Sequence, residues 1–494
     1  AEVTARTPGA YPVLLTSFKC SPDSFVTDYV RQIVERHGKP YLVLQLDEHD
    51  SRLGYETRIE AAVRAFRNHH GSLHEARDEP MADRRPAVFC VPSGRVDLDG
   101  RTILFPNWDS LSLRLVVASV RKTGRDARLL EPSEASMRRS LRHNSGQCTP
   151  LNAIAQDFIE YVERYDLDPA RTVLWTGASS IGCNIHLYPH HIRTILRSYG
   201  RGFERADVYT GAMSLQDISA WLPFDVYLAY MFGGFIRRMG CRIRPVETHA
   251  GETDALIEDS MRTLEQVLES DASREDAIAR VVSRFASIET RETGPRTKVA
   301  LFGDLYSRDN PVLNQHLIRF IEAHGGEVIT TPYTSYVRMI VRPYYWKWFI
   351  EGKYLNVLST KALMAAFVRL EKKYFRYFER VLGESAPAYD ESPQAILSEY
   401  NVRLEHTGEA MDNLLKVFYI VRHHPDVALF VQASPAFCCP SLVTEAMAGE
   451  IETKTGVPVV SVTYDGTGGT KNEIILPYLA YPRKGNPVPQ RRPA

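Results

Sequence analysis

Short apolar runs alternate with amphipathic segments along most of this chain. Residues 12–18, 41–46 and 172–176 are predicted as strands, and helical patterns over 23–36 and 56–68 follow the first two of them. Strands separated by helical patterns are typical of βαβ units, whose strands run mainly in parallel. The alternation therefore predicts an α/β fold with mainly parallel sheets.

The alternation is interrupted in ways that divide the 494 residues into two α/β blocks. Residues 10–250 form the predicted N-terminal block, and a polar stretch near 85–100 is a candidate boundary between two subdomains within it. A charge-rich helical connector over 251–295 leads into the C-terminal block, 296–485. This second block contains a helical insert over 335–420 that is rich in aromatic residues.

The charge balance and the hydropathy pattern exclude two kinds of partner. The chain has 60 Lys and Arg residues against 60 Asp and Glu residues, so it lacks the basic excess of a general nucleic-acid binder. No apolar run reaches the roughly 18 residues of a membrane span. We therefore expect no nucleic-acid partner and no membrane partner. The start has neither Met nor a secretory segment, which predicts a cytoplasmic fragment or processed chain.

The seven cysteines are the main source of candidate chemistry. An odd number without a secretory segment indicates a reducing compartment, where cysteines are buried fillers, nucleophiles or metal ligands. Cys20, Cys148 and Cys439 each stand one or two residues before a proline that opens a predicted helix. A helix N-terminus stabilises the thiolate, which is the form that binds metals. Cys183 follows the strand 172–176 by a short loop.

These cysteine positions lie beyond the carboxyl ends of predicted parallel strands, where open α/β sheets bind their ligands. The predicted ligands of one shared metal or cluster site are Cys20, Cys148, Cys183, Cys438 and Cys439. No compact CxxC pair occurs, which argues against a zinc ribbon and a ferredoxin-type cluster. Thiolates that are scattered over two blocks but meet at one cleft suit an iron–sulfur cluster better than zinc.

The other two cysteines fit a simpler role. A lone cysteine in a protein of this size is usually a small buried hydrophobic residue. This alternative applies to any one of the seven taken singly, and the grouping at strand ends argues against it for five of them. We predict that Cys90 and Cys241 pack in the core.

An acidic turn after the second predicted strand offers further polar groups. Asp47, Glu48 and His49 are candidate ligands of a hard metal or candidate general acid/base groups near the same cleft. A solvated turn that caps the following helix is the alternative. We keep these three residues as candidate catalytic proton donors.

Three common motifs are missing or incomplete. The segment 465–471 (DGTGGTK) is rich in glycine but lacks the GxxxxGK[ST] spacing of a phosphate loop, so it predicts a close turn near a cofactor or the other block. No GxGxxG follows the first strand, which disfavours a dinucleotide-binding domain. The absence of GxSxG disfavours a serine hydrolase.

Several longer motifs carry a family resemblance. They are SFKCSPDSF (17–25), QLDEH (45–49), YETRIEA (55–61), NSGQCTPLN (144–152), YMFGG (230–234), FGDLYSRDN (302–310), PAFCCPSLV (435–443) and YDGTGG (464–469). On these motifs, the chain from about residue 12 to 482 resembles the C-terminal region of large acyl-CoA dehydratase activase-related proteins. That region is similar to subunits of 2-hydroxyacyl-CoA dehydratases, benzoyl-CoA-type reductases and double-cubane cluster proteins.

The resemblance implies two Rossmann-like parallel-sheet blocks with a helical insert and a cofactor cleft between them. The cleft would hold a cysteine-bound cubane cluster, either 4Fe–4S or a double cubane. An ATP-hydrolysing activator would feed it electrons for a low-potential reduction, and acyl-CoA and a second copy of the chain are further candidate partners. The alternatives are a 2-hydroxyacyl-CoA dehydratase subunit that acts directly on acyl-CoA, and a non-catalytic scaffold or regulatory partner of an activase.

Overall fold

The computed structural model shows an α/β protein in which every strand pairing of the described residues is parallel. A two-stranded sheet comes first in the chain, and two four-stranded sheets follow it. The predicted fold class, with parallel-sheet blocks and helices, is confirmed. The structure describes residues 1–17, 21–46, 52–75, 96–144, 146–178, 183–292, 294, 296–404 and 408–483.

The small N-terminal sheet consists of β1 (Val13–Ser17) and β2 (Leu42–Leu46). Its helices are α1 (Glu2–Arg6), α2 (Ser21–Arg36) and α3 (Arg52–Glu75). Phe25 of α2 is buried in the main hydrophobic core, so this helix is fixed against the rest of the protein. The small sheet is thereby attached to the larger sheet that follows.

The first four-stranded sheet has the order β4-β3-β5-β6. Its strands are β3 (Thr102–Phe105), β4 (Ala127–Leu129), β5 (Thr172–Ala178) and β6 (Asp207–Ala212). Its helices are α4 (Ser110–Arg121), α5 (Glu134–Ser140), α6 (Thr149–Arg164), α7 (Tyr188–Tyr199) and α8 (Leu222–Ile243). Two helices, α9 (Glu252–Glu269) and α10 (Arg274–Ala286), then lead to the second sheet.

The second four-stranded sheet has the order β10-β9-β7-β8. Its strands are β7 (Thr297–Gly303), β8 (Gly326–Ile329), β9 (Leu429–Pro435) and β10 (Val459–Tyr464). The helices up to β9 are α11 (Leu305–Asp309), α12 (Leu317–Ala323), α13 (Tyr333–Ile350), α14 (Tyr354–Leu382), α15 (Pro393–Ser398) and α16 (Glu409–His423). The last helices are α17 (Cys439–Ala446), α18 (Ala448–Thr455) and α19 (Leu476–Ala480).

The strand order produces a topological switch point in each large sheet. The chain leaves β3 for β4 on one side and later returns to β5 on the other side. It likewise leaves β7 for β8 and returns to β9. The loops at the carboxyl ends of such neighbouring strands diverge and leave a crevice, which is where open α/β sheets bind ligands. The fold therefore marks the loops after β3, β5, β7 and β9 as candidate ligand-binding loops.

Helix α8 lies between the two large sheets and joins their cores. Its buried Gly233 and Gly234 let neighbouring backbone approach closely, since a Cβ at Gly233 would lie 2.7 Å from the backbone N of Ser112 and a Cβ at Gly234 would lie 2.9 Å from Cα of Pro332. Because Ser112 belongs to α4 and Pro332 precedes α13, α8 contacts both blocks. Within the described residues, no helix is both long and apolar enough to span a membrane.

Candidate cysteine and carboxylate site

Two neighbouring strands of the second large sheet deliver acidic and thiol side chains to its switch point. Asp304 follows β7 directly, and Cys438 follows β9 after a two-residue connection. The thiol of Cys438 and one oxygen each of Asp304 and Glu409 all lie within 4.8 Å of one another. The switch point thus brings together three potential metal ligands from separate parts of the chain.

Local capping explains how the two carboxyl groups are held. Asp304 is the N-cap of α11, where its Oδ1 accepts a hydrogen bond from the backbone N of Ser307 at 2.8 Å. Glu409 begins α16, and its Oε1 accepts a hydrogen bond from the backbone N of Leu305 at 2.7 Å. Both bonds are made with the short helix after β7, so they fix the carboxyl groups beside the same loop.

The cysteines of the first block stand at the starts of helical segments. Cys148 is the N-cap of α6, whose first turn contains Pro150, and Cys183 precedes the short 3₁₀ helix Asn184–Leu187. Cys438 is the N-cap of α17, and Cys439 is therefore the first residue of that helix. A proline within two residues is the local pattern that places Cys148, Cys438 and Cys439 at helix N-termini, whereas no proline follows Cys183 closely.

Direct contacts join the cysteine loops of the two blocks. The backbone N of Thr149 donates a hydrogen bond to the carbonyl O of Ala436 at 3.3 Å, so the residue after Cys148 touches the loop that leads to Cys438. The side-chain Nδ2 of Asn184 lies 4.0 Å from the Sγ of Cys439. The loops after β5 and β9 therefore meet at one place.

The first turn of α2 lies next to the same loops. The hydroxyl of Ser24 donates a hydrogen bond to the carbonyl O of Gly146 at 2.7 Å, and Nε2 of Gln147 lies 3.4 Å from the carbonyl O of Ser24. These contacts set the start of α2 against the segment that precedes Cys148. Cys20 itself lies outside the described residues.

The remaining predicted groups are distributed as follows. The three candidate proton donors Asp47, Glu48 and His49 lie outside the described residues, as does Cys90. Cys241 is buried in the hydrophobic core within α8, as predicted for a packing residue.

Burial and negative neighbours oppose ionisation of the thiols of Cys148 and Cys183. Burial raises the pKa of Cys148 to about 12, with smaller contributions from a hydrogen bond to the Tyr188 hydroxyl at 2.8 Å, which lowers it, and from the charge of Asp304, which raises it. Burial is also the main reason that the pKa of Cys183 is well above its usual value, and the charge of Glu409 adds to it. Without a cation, the site favours protonated thiols.

The pKa values of the Cys438 thiol and of the two carboxyl groups beside it are also raised. Burial raises the pKa of Cys438 well above its usual value, and the charges of Asp304 and Glu409 add to this effect. Loss of hydration likewise raises the pKa of Asp304 and, well above the usual range, that of Glu409. Asp304 is of intermediate exposure as a whole residue, while its carboxyl group is enclosed. The site therefore concentrates acidic groups whose combined ionisation needs a positive partner.

The distances between the thiols distinguish a mononuclear Cys₄ zinc site from a metal cluster. In a mononuclear Cys₄ zinc site, Zn–S bonds of about 2.3 Å place the sulfurs about 4 Å apart. Among the described residues, no three cysteine sulfurs lie within 4.8 Å of one another, and the one group of that size is Cys438 with Asp304 and Glu409. The described cysteines therefore do not fit a mononuclear Cys₄ zinc site, whereas wider spacing is compatible with a cluster, whose iron and sulfide ions separate its ligands.

The glycine-rich segment after β10 lies against the first block. A Cβ at Gly466 would lie 3.3 Å from Cδ2 of Leu141 and 3.4 Å from Sδ of Met137, so only glycine permits this approach without a shift. The Nζ of Lys471 pairs with Oδ2 of Asp465 at 3.1 Å, which neutralises the cation that a phosphate loop would use. This segment is a close turn against the other block.

Sequence reasoning missed the two carboxyl groups of the site. Asp304 falls within the motif 302–310, yet a single acidic residue after a strand is ordinary and gave no separate signal. Glu409 lies 104 residues beyond its partner Leu305, so no local pattern connects them.

Comparison with known protein families finds no family model that matches the chain, and comparison with curated proteins finds no significant match. The resemblance to dehydratase activase-related proteins stays a prediction.

Proposed function

We propose that this protein is an iron–sulfur protein that accepts electrons from an ATP-driven activator for a low-potential reduction in the cytoplasm. The proposed ligands among the described residues are Cys148, Cys183, Cys438 and Cys439. The observation that carries the proposal is the meeting of these sequence-distant cysteines, from both α/β blocks, beside two carboxyl groups at a switch point. A structural role alone gives no reason to gather so many acidic groups at this crevice.

Charge is the physical basis of the proposal. Burial and neighbouring anions hold the pKa of Cys148, Cys183 and Cys438 above the usual thiol value, so the cation-free site disfavours thiolates. A bound cation reverses this preference because it stabilises each thiolate directly. The site residues therefore fit a positively charged cluster core, and when bound a cluster supplies one-electron redox chemistry.

The groups around the proposed ligands would orient a sulfur, stabilise thiolates or lower the reduction potential. The Tyr188 hydroxyl holds the sulfur of Cys148 by a hydrogen bond at 2.8 Å and so orients it. The N-termini of α6 and α17 present backbone N–H groups and positive dipole ends to Cys148 and Cys438, which stabilises their thiolates. Asp304 and Glu409 add negative charge nearby, which disfavours the addition of an electron. This balance suits a site of low reduction potential.

Electron acceptance is tested by supplying the activator. We expect the anaerobically reconstituted protein to lose its visible absorption when an activator of this superfamily, a reductant and ATP are all present. Without ATP, or with a non-hydrolysable ATP analogue, the absorption should persist. Absorption that never changes with ATP would contradict the electron-accepting part of the proposal. Neither the dehydratase nor the scaffold alternative has a specific observation in its favour among the described residues.

A further inference from the structure

One corner of the site contains oxygen ligands as well as sulfur. The Sγ of Cys438 and one oxygen each of Asp304 and Glu409 lie within 4.8 Å of one another. These groups come from the loop after β9, the N-cap of α11 and the start of α16, so three separate segments converge on one point. Cys438 and Glu409 are buried, with 5% and 4% exposure.

Two other buried carboxylates of the protein have cationic partners. Asp412 pairs with Lys416 at 2.6 Å, and Glu322 pairs with Arg244 at 2.7 Å. Within the described ranges, neither Asp304 nor Glu409 forms an ion pair. Oδ1 of Asp304 accepts its hydrogen bond from the backbone N of Ser307, and Oε1 of Glu409 accepts its hydrogen bond from the backbone N of Leu305.

The electrostatic consequence follows from the closeness of the two carboxyl groups. One carboxyl oxygen of Asp304 lies within 4.8 Å of a carboxyl oxygen of Glu409, and Glu409 is buried. Like charges at such a distance do not ionise together in a poorly hydrated site unless a positive group compensates them. A divalent cation would take the place of the bound protons, and metal binding at such a site releases them.

We propose that Cys438, Asp304 and Glu409 bind a single divalent metal ion of the borderline class, such as Fe²⁺, Co²⁺ or Zn²⁺, in the protein that holds no cluster. A thiolate disfavours Mg²⁺ and Ca²⁺, while two carboxylates disfavour the soft ion Cu⁺, so the mixed ligands select the borderline ions. The site uses one thiol and does not need Cys148 or Cys183. The inference therefore stands apart from the proposed cluster, although the two share Cys438.

Anaerobic titration of the cluster-free full chain with Co²⁺ tests the mixed site. We expect one Co²⁺ per chain at the tight site, with a thiolate-to-metal absorption band that Cys438→Ser abolishes. Asp304→Asn and Glu409→Gln should each weaken Co²⁺ binding by about ten-fold or more, since each removes a charged ligand at nearly constant shape. Cys241→Ser should leave both the band and the affinity unchanged, because this buried thiol lies within α8 and outside the site.

The opposite pattern would overturn the inference. The absorption band and the Co²⁺ affinity could both persist in Asp304→Asn and Glu409→Gln but fall in Cys148→Ser. That result would assign the metal to the thiols alone. Far-ultraviolet circular dichroism shows whether each variant is folded. If one of the two carboxyl variants does not fold, the other still tests the site. Iron and sulfide content after reconstitution is measured separately. A chain that binds Co²⁺ through these residues but never binds sulfide would contradict the proposed cluster and support the mixed site.

Discussion

Replacing Cys148 with Ala should remove most of the iron from the anaerobically reconstituted protein. Cys148 is the N-cap of α6 and lies where the two blocks meet, next to the contact between Thr149 and Ala436. Loss of a ligand should lower the retained iron on the order of ten-fold or more. The measurement is iron and acid-labile sulfide per chain after gel filtration.

The chain offers a matched control for this variant. Cys241 is also a buried cysteine, with 1% exposure against 6% for Cys148, and burial raises the pKa of both to about 12. Cys241→Ala should therefore produce a similar packing defect while keeping the iron. Equal iron in the two variants would show that Cys148 is not a ligand.

Replacing Arg237 with Met should lower the free energy of unfolding by about 3–5 kcal/mol, because it leaves the buried carboxylate of Asp109 without a cationic partner. The guanidinium of Arg237 donates to Oδ2 of Asp109 at 3.1 Å and lies 3.5 Å from Oδ1 of Asp309. Asp309 also pairs with Arg308 at 2.5 Å, and both acidic side chains are fully buried. The network connects α4 and α8 of the first block to α11 of the second.

A surface pair provides the comparison for this stability prediction. Arg262 lies 3.8 Å from Asp259, and its side chain is 62% exposed. Arg262→Met should therefore change the free energy of unfolding by less than about 1 kcal/mol. Urea denaturation followed by circular dichroism measures both variants. A loss below about 1 kcal/mol for Arg237→Met would mean that the buried network contributes little to holding the blocks together.

Much of the fold could be predicted because parallel strands are buried on both faces and appear as short apolar runs. The run at 172–176 predicts a strand, which the structure gives as Thr172–Ala178. The strand order could not be predicted, since hydrophobic periodicity says nothing about which strands become neighbours.

The candidate site was predictable where its chemistry is local. Cys148 and Cys438 reach helix N-termini because a proline follows each within two residues, and that pattern is visible in the sequence. The contributions of Asp304 and Glu409 depend on the switch point and on a hydrogen bond between residues 104 positions apart. Such long-range pairing is a property of the tertiary fold, so single-sequence patterns do not contain it.

The most direct test of the central claim is the iron and acid-labile sulfide content of the full chain after strictly anaerobic purification and reconstitution. We predict a brown protein with iron and sulfide in nearly equal amounts, and with both reduced together in Cys148→Ala. A colourless protein that binds neither iron nor sulfide after reconstitution would contradict the claim that these cysteines hold a cluster.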